Sequence, residues 1–193
     1  MASRFFLITV IKILKDPVKE WETIDSDNHS ANVIRNTFLV PLLLLVSVAA
    51  FAGSLIFTHS ELSTVYSVLE GLKCFLVFLI TVYVTGIILK ETMKALDLGN
   101  SFDLAFRLIS YSIVPFLLCQ IFSLLFESLL FVNVLALFGL YIFWTGAESS
   151  LKPLSTKKIE LLAAALIAFI GVFIASNLLL TMLIDKIFYK FFS

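Results

Sequence analysis

Any chemistry in this chain would have to come from a sparse set of polar side chains placed among apolar ones. Gln120, Glu127, Asn133 and Glu148 fall in or at the ends of long apolar stretches. Amide and ionisable groups are costly to hold there and often line a route for ions or protons. Tyr141, Thr145 and Glu148 recur at i, i+4 and i+7, one face of a helix. Glu127 and Glu148, however, stand at opposite ends of their stretches, and no charge lies midway, which argues against a proton relay. Cys74 and Cys119 each sit inside an apolar run without ligand spacing and read as small buried hydrophobes. His29 belongs to the polar run Asp25-Ser26-Asp27-Asn28-His29-Ser30, and His59 stands apart from it, so no histidine pair has metal-binding spacing. The sequence contains no HExxH, no Gly-x-Ser-x-Gly and no phosphate-binding glycine-rich loop. An active site drawn from loop residues alone would be acid-based, using Asp97, Asp103 or Glu148. The expectation is therefore no catalytic residue, no metal and no cofactor.

The elements that would position these groups are membrane helices. With 60% hydrophobic and 15% charged residues, 20 Phe and a mean hydropathy of +1.04, the chain carries more apolar surface than 193 soluble residues could bury. A net charge of zero gives no general attraction to nucleic acid. Five apolar segments near the length a bilayer requires are expected at about Asn36–Thr58, Tyr66–Leu89, Ala105–Phe126, Leu129–Thr145 and Ile159–Ile184. The predicted fold class is all-α: a polytopic membrane helical bundle of five transmembrane helices, preceded by an amphipathic interfacial helix. The domain division is an interfacial segment, 1–30, and a five-span domain, 31–193.

In the first segment Lys12 and Lys15 interrupt the apolar run after Arg4, and no small-residue cleavage site follows, unlike a signal peptide. Phe5, Ile8 and Ile11 or Lys12 recur at helical spacing, so this helix should lie in the interface with its lysines reaching the headgroups. Asp16 and Pro17 suit a cap and first residue of a second helix, whose Trp21 offers an aromatic anchor at the same depth. Farther on, Asp97-Leu98-Gly99-Asn100-Ser101 forms a polar hinge. Gly99 suits a left-handed residue ending one helix, and Ser101 a cap for the next, with Asp103 in its first turn. The helix that follows carries Tyr111-Ser112-Ile113-Val114-Pro115. Pro115 cannot donate to the Tyr111 carbonyl, so a bend is expected there, with Ser112 or a neighbouring span helping to satisfy the freed group.

Basic residues set the orientation. Eleven of the 14 Lys and Arg fall before the first span, around the hinge and between spans four and five, all on one alternating face. By the positive-inside rule the N-terminus is cytoplasmic and the C-terminus outside. Lys73 lies inside span two, where Glu70 can pair with it. Glu127-Ser128 is the only break between spans three and four, so these form a tight hairpin, with a re-entrant hairpin and four spans as the alternative. Small and polar residues stripe each span: Ser47, Ala50 and Ser54; Ser67, Cys74, Thr81 and Thr85; Ser112, Gln120, Ser123 and Glu127; Tyr141, Thr145 and Glu148; Ala164, Ala168, Gly171 and Ala175. They read first as helix-packing positions and second as a polar pathway.

The stretch Asp16-Pro17-Val18-Lys19-Glu20-Trp21-Glu22-Thr23-Ile24 precedes the first span. Leu98-Gly99-Asn100-Ser101-Phe102 leads into Ala105-Phe106-Arg107-Leu108-Ile109-Ser110-Tyr111-Ser112-Ile113-Val114-Pro115. Together with five spans these resemble the bacterial branch of the Yip family over about residues 10–185. The resemblance implies a five-helix membrane domain with a cytoplasmic N-terminus. The eukaryotic members are partners of Rab-type small GTPases and of each other in vesicle traffic. This sequence lacks their long N-terminal region and their Asp-Leu-Tyr-Gly-Pro element, so small GTPase binding is not carried over to it. The function expected is a non-enzymatic scaffold or adaptor in the bacterial inner membrane, partnered by the bilayer and by a second copy or another membrane protein, not by nucleic acid. The alternative is a small-solute or ion permease with a cavity near Pro115. Pro17, Trp21, Gly99, Tyr111, Ser112, Pro115, Gln120, Glu127, Asn133 and Glu148 are the candidate structural and functional residues.

The orientation can be checked with single cysteines in a background lacking Cys74 and Cys119. Cysteines at Ser30, Asn100 and Ser155 should be shielded from an impermeant thiol reagent in intact cells, and those at Ser60 and Ser193 should label. Labelling at Asn100 without permeabilisation would contradict five spans with this orientation.

Overall fold

The structure is a computed structural model that describes residues 2–57, 63–126, 134–152 and 155–192. Its helices are α1 (Ala2–Lys15), α2 (Pro17–Asp27), α3 (Ala31–Ile34), α4 (Val40–Phe57), α5 (Ser63–Ala95), α6 (Phe102–Ser112), α7 (Val114–Leu125), α8 (Phe138–Leu151) and α9 (Ser155–Phe192). Among the described residues there is no strand. Among the described residues five stretches are long and apolar enough to cross a membrane: Ala31–Phe57, Thr64–Ala95, Phe102–Leu125, Val134–Leu151 and Thr156–Lys186. The protein is thus a polytopic helical bundle. The described part of its fourth span extends to Leu151, past the Thr145 end that the apolar pattern alone suggested.

Proline explains the two irregular spans. α3 runs into α4 through a π-helical turn, Arg35–Leu39, in which the Val40 N–H donates to the Arg35 carbonyl. Pro41 has no N–H to continue the α-helical pattern, and the wider turn takes up the mismatch. In the third span Pro115 sits in the first turn of α7, and the helix is interrupted at Ile113. The Ile113 N–H donates to the Ile109 carbonyl at 3.0 Å. The Ser112 hydroxyl, expected to help satisfy the freed carbonyl, is buried without a hydrogen-bond partner among the described residues. The Ser112 carbonyl instead lies directly against Gly139 of α8, where any Cβ would collide with it.

Capping follows the sequence closely at α2 and α6. Asp16 accepts from the Lys19 N–H at 3.3 Å and Ser101 from the Leu104 N–H at 3.3 Å. Asp103 reaches beyond its own helix and caps α3, accepting from the Ala31 N–H at 2.7 Å. The end of α5 differs from the expectation for Gly99. Asp97 is the left-handed residue there (φ 56°), and the Leu98 N–H closes the turn onto the Met93 carbonyl at 2.9 Å. Gly99, at φ +118°, turns the chain two residues later.

Small residues let the spans approach. Ser47 of α4 donates to the Gly71 carbonyl of α5 at 2.6 Å, and Ser67 donates to Ser54 at 3.0 Å. Gly53 places α4 against the backbone of α7 at Leu124. Glu70 and Lys73 pair at 2.7 Å as their spacing predicts. α9 departs from the pattern: Gly171 and Ala175 of its small-residue stripe face outward, and Gly171 has open space beside it. α9 rests mainly on α5, much less on α8.

The N-terminal helices are built into the bundle. Phe6, Val10 and Ile13 of α1 are buried in the common core, while Leu7, Ile8 and Ile11 on its opposite side are exposed. α2 lies on α8, and Trp21 is fully buried against it. Trp21 therefore anchors helix to helix rather than helix to headgroup, a correction to its expected place in the interface. Gly146 of α8 lies under the indole so closely that a Cβ would meet the ring. Gly146→Ala should lower unfolding stability in detergent by about 1–3 kcal/mol, the usual cost of overpacking. Combined with Trp21→Phe, the loss should be smaller than the sum of the two single losses. Simple additivity would contradict this contact.

Candidate functional site

Polar side chains converge beneath the N-terminal helices, on α2, α6 and the end of α8. The centre is Arg107, on the face of α6 that also carries Tyr111 one turn later, and its side chain is only 5% exposed. A buried guanidinium must be matched by charge and hydrogen-bond acceptors. Its Nη2 donates to Asn28 Oδ1 at 2.6 Å. Its Nη1 donates to the Ile24 carbonyl at 3.3 Å and lies 3.5 Å from Asp25 Oδ1. Asp25 in turn accepts from the hydroxyls of Ser149 (2.6 Å) and Ser150 (2.7 Å) at the end of α8. One cation thus joins three helices. Asn28 serves it by ending α2 in a left-handed conformation (φ 42°).

An aromatic cluster packs beside this network. The Trp21 Nε1–H donates to the Ile142 carbonyl of α8 at 2.9 Å. Its ring meets Tyr111 edge-on at 5.7 Å, and Tyr111 lies 4.5 Å from Phe38. Pro17 is buried at the start of the same helix. A cavity of about 80 Å³ lies between α1, α2 and α6, lined by Lys12, Glu20, Asp27, His29, Arg107 and Tyr111 among others. Arg107 Nε, buried beside it, has no hydrogen-bond partner among the described residues. Burial pushes the Glu20 carboxyl above the usual carboxylate range, and the Lys12 ammonium, 3.8 Å away, offsets part of that effect.

The remaining candidates are dispersed. Glu148 pairs with Lys158, whose ammonium also lies 3.9 Å from the centroid of the Trp144 ring. Gln120 is half-buried on α7, beyond the break, whereas Glu148 lies the other way along α8 from the Gly139 contact. Glu127 and Asn133 lie outside the described residues. Gln120 and Glu148 thus do not join into one route. Among the described residues no cluster of His, Cys, Asp or Glu has the make-up of a metal site.

The family model of the Yip1 domain matches residues 11–190, nearly the whole chain. The chain belongs to the Yip1 domain family. No curated protein and no solved structure matches it. The family match takes in all of α2 and the whole Arg107 network.

Sequence reasoning singled out Trp21 and Tyr111 but counted Arg107 only as a hinge charge, and read Asp25 to Asn28 as a loop. One signal was available. Arg107 falls inside the expected third span, Ala105–Phe126, one helical turn before Tyr111, where a charge is costly unless it faces protein and finds a partner. Arg107→Met should cost about 3–5 kcal/mol, because it strands Asp25. Asp25→Asn, which leaves the buried guanidinium without its counter-charge, should cost a comparable amount. Equal stability of Arg107→Met and the unsubstituted protein in thermal unfolding would contradict the network.

Proposed function

We propose that this protein is a non-enzymatic membrane scaffold or adaptor of the bacterial branch of the Yip1 domain family. We place it in the cytoplasmic membrane with its N-terminus inside and its C-terminus outside. The observation that carries the proposal is the use made of its ionisable groups. Arg107, Asp25, Lys12, Glu20, Lys158 and Glu148 gather at one end of the bundle and pair with one another, fastening α1, α2 and the start of α9. This makes a rigid end bearing a polar ridge, from which Lys15, Lys19, Glu22 and Lys152 project into solvent. Such a surface suits docking by another membrane protein or a second copy in membrane organisation or trafficking-like assembly.

The charge of that end refines the reading. Ten of the 14 acidic residues accompany the 11 basic ones in the same segments. Attraction to anionic lipid, on the order of 1 kcal/mol per unpaired basic residue near the surface, is therefore smaller than the basic count alone suggests. A mixed-charge partner surface fits better than a uniformly acidic one. The permease alternative draws on a cavity that does adjoin the Pro115 break, lined by Ser112, Ile113 and Phe116 with residues of α8 and α9. Its lining is apolar apart from Ser112, which is unsuited to a charged solute.

Photoreactive residues placed at Lys19 and Glu22 should crosslink in native membranes to one defined membrane protein or to a second copy. The purified protein in liposomes should give no solute flux above empty vesicles. Reproducible flux abolished by changing Gln120 or Asn133 would overturn the proposal in favour of the permease.

A further inference from the structure

The apolar cavity beside the third-span break measures about 270 Å³ and is walled by α6, α7, α8 and α9. Its origin lies in the helix packing. α8 and α9 are joined at one end by the Lys158–Glu148 pair and the Trp144 contact. Away from that junction α9 follows α5, and α8 is held at Gly139 against the Ser112 carbonyl. The two helices splay, and the interruption at Ile113 leaves the space between them unfilled. Ala165, where a larger side chain would reach across, contributes only a methyl group.

Depth and lining select the occupant. Phe169 lies eleven residues beyond Lys158, roughly 16 Å along α9 at helical rise. That is about half of a ~30 Å hydrocarbon core. Phe116, Phe143, Leu140, Leu162 and Phe169 line the cavity, and Ser112 is its one hydroxyl-bearing residue. Water gains too few partners in such a space to fill it. The cavity also has a lateral mouth: Leu137, Leu166 and Ile170 line it yet are 63%, 37% and 48% exposed on the outer surface of the bundle. In a membrane-spanning protein that surface faces hydrocarbon. The volume lies below the roughly 300–1,000 Å³ of pockets for compact ligands, and suits a slender flexible chain.

We propose that this cavity is a lipid site that takes one acyl chain of a membrane phospholipid between α8 and α9. The chain enters past Leu137 and Ile170 and packs against the phenylalanines at the break. It supplies contacts that α8 and α9 do not make with each other, so the packing of the last two spans includes lipid. The proposal is independent of the adaptor reading, since it concerns the opposite side of the Trp21 and Arg107 cluster and names no protein partner.

The test uses the full chain reconstituted in vesicles of phosphatidylethanolamine and phosphatidylglycerol, with a fraction of phospholipid bearing a diazirine at mid-chain. After irradiation, adducts are mapped by mass spectrometry. Phe116, Leu140 and Phe169 should be labelled several-fold more than Ile167 and Leu178 on the outward face of α9. Ala165→Phe should reduce the lining adducts several-fold and leave the outward ones unchanged. If that variant does not fold, Leu140→Phe fills the cavity from the opposite wall, and the ratio in the unsubstituted protein decides by itself. Lining adducts no more frequent than outward ones, adducts unchanged by a folded filling variant, or a lining shielded by a second copy of the chain would each overturn the proposal.

Discussion

A guanidinium at the edge of a membrane bundle leaves the protein little choice. Arg107 does not lose its charge at any relevant pH, so its burial has to be answered by acceptors in fixed places. Asp25, Asn28 and the Ile24 carbonyl supply them, all from α2 or its cap. The position of α2 is therefore set by α6. Because Asp25 also holds Ser149 and Ser150, the end of α8 is set by the same cation. Trp21 adds an apolar anchor beside this polar one, bonding to an α8 carbonyl while its ring packs on Tyr111. The two N-terminal helices, though outside the five spans, thereby become part of the core.

The remainder of the bundle shows what happens where such anchors are lacking. α4 and α5 are drawn together by serine hydroxyls and glycine contacts along their length. α9 has ion pairs at one end and leans mainly on α5, leaving Ile167, Leu178, Leu179 and Met182 facing out. In lipid an exposed apolar side chain costs little, so the packing of the last span is free to be looser than a soluble protein would tolerate.

The features legible in the sequence were those with a local cause. Composition and run length pointed to five membrane helices; Asp16, Pro17 and Ser101 marked helix starts, and Pro115 an interruption. The features hidden from it were relations between distant segments. That Asp103 caps α3, that Gly146 accepts an indole, and that Asp25 faces Arg107 depend on helix placement, which no spacing rule encodes. The polar run from Asp25 to Asn28 misled for a physical reason. Its composition is that of a solvated loop, but here Asp25 and Asn28 are turned toward one buried cation. Gly99 misled for a smaller one: Asp97 can adopt the left-handed conformation itself, leaving the glycine for the next turn.

α2 is a structural part of the bundle, held by Arg107 and Trp21. Hydrogen exchange of the intact protein in lipid nanodiscs measures this most directly. Amides from Trp21 to Asp25 should exchange as slowly as those of α6, since opening α2 would strand a buried guanidinium. Exchange there as fast as in a fraying surface helix, with α6 still protected, would contradict the account.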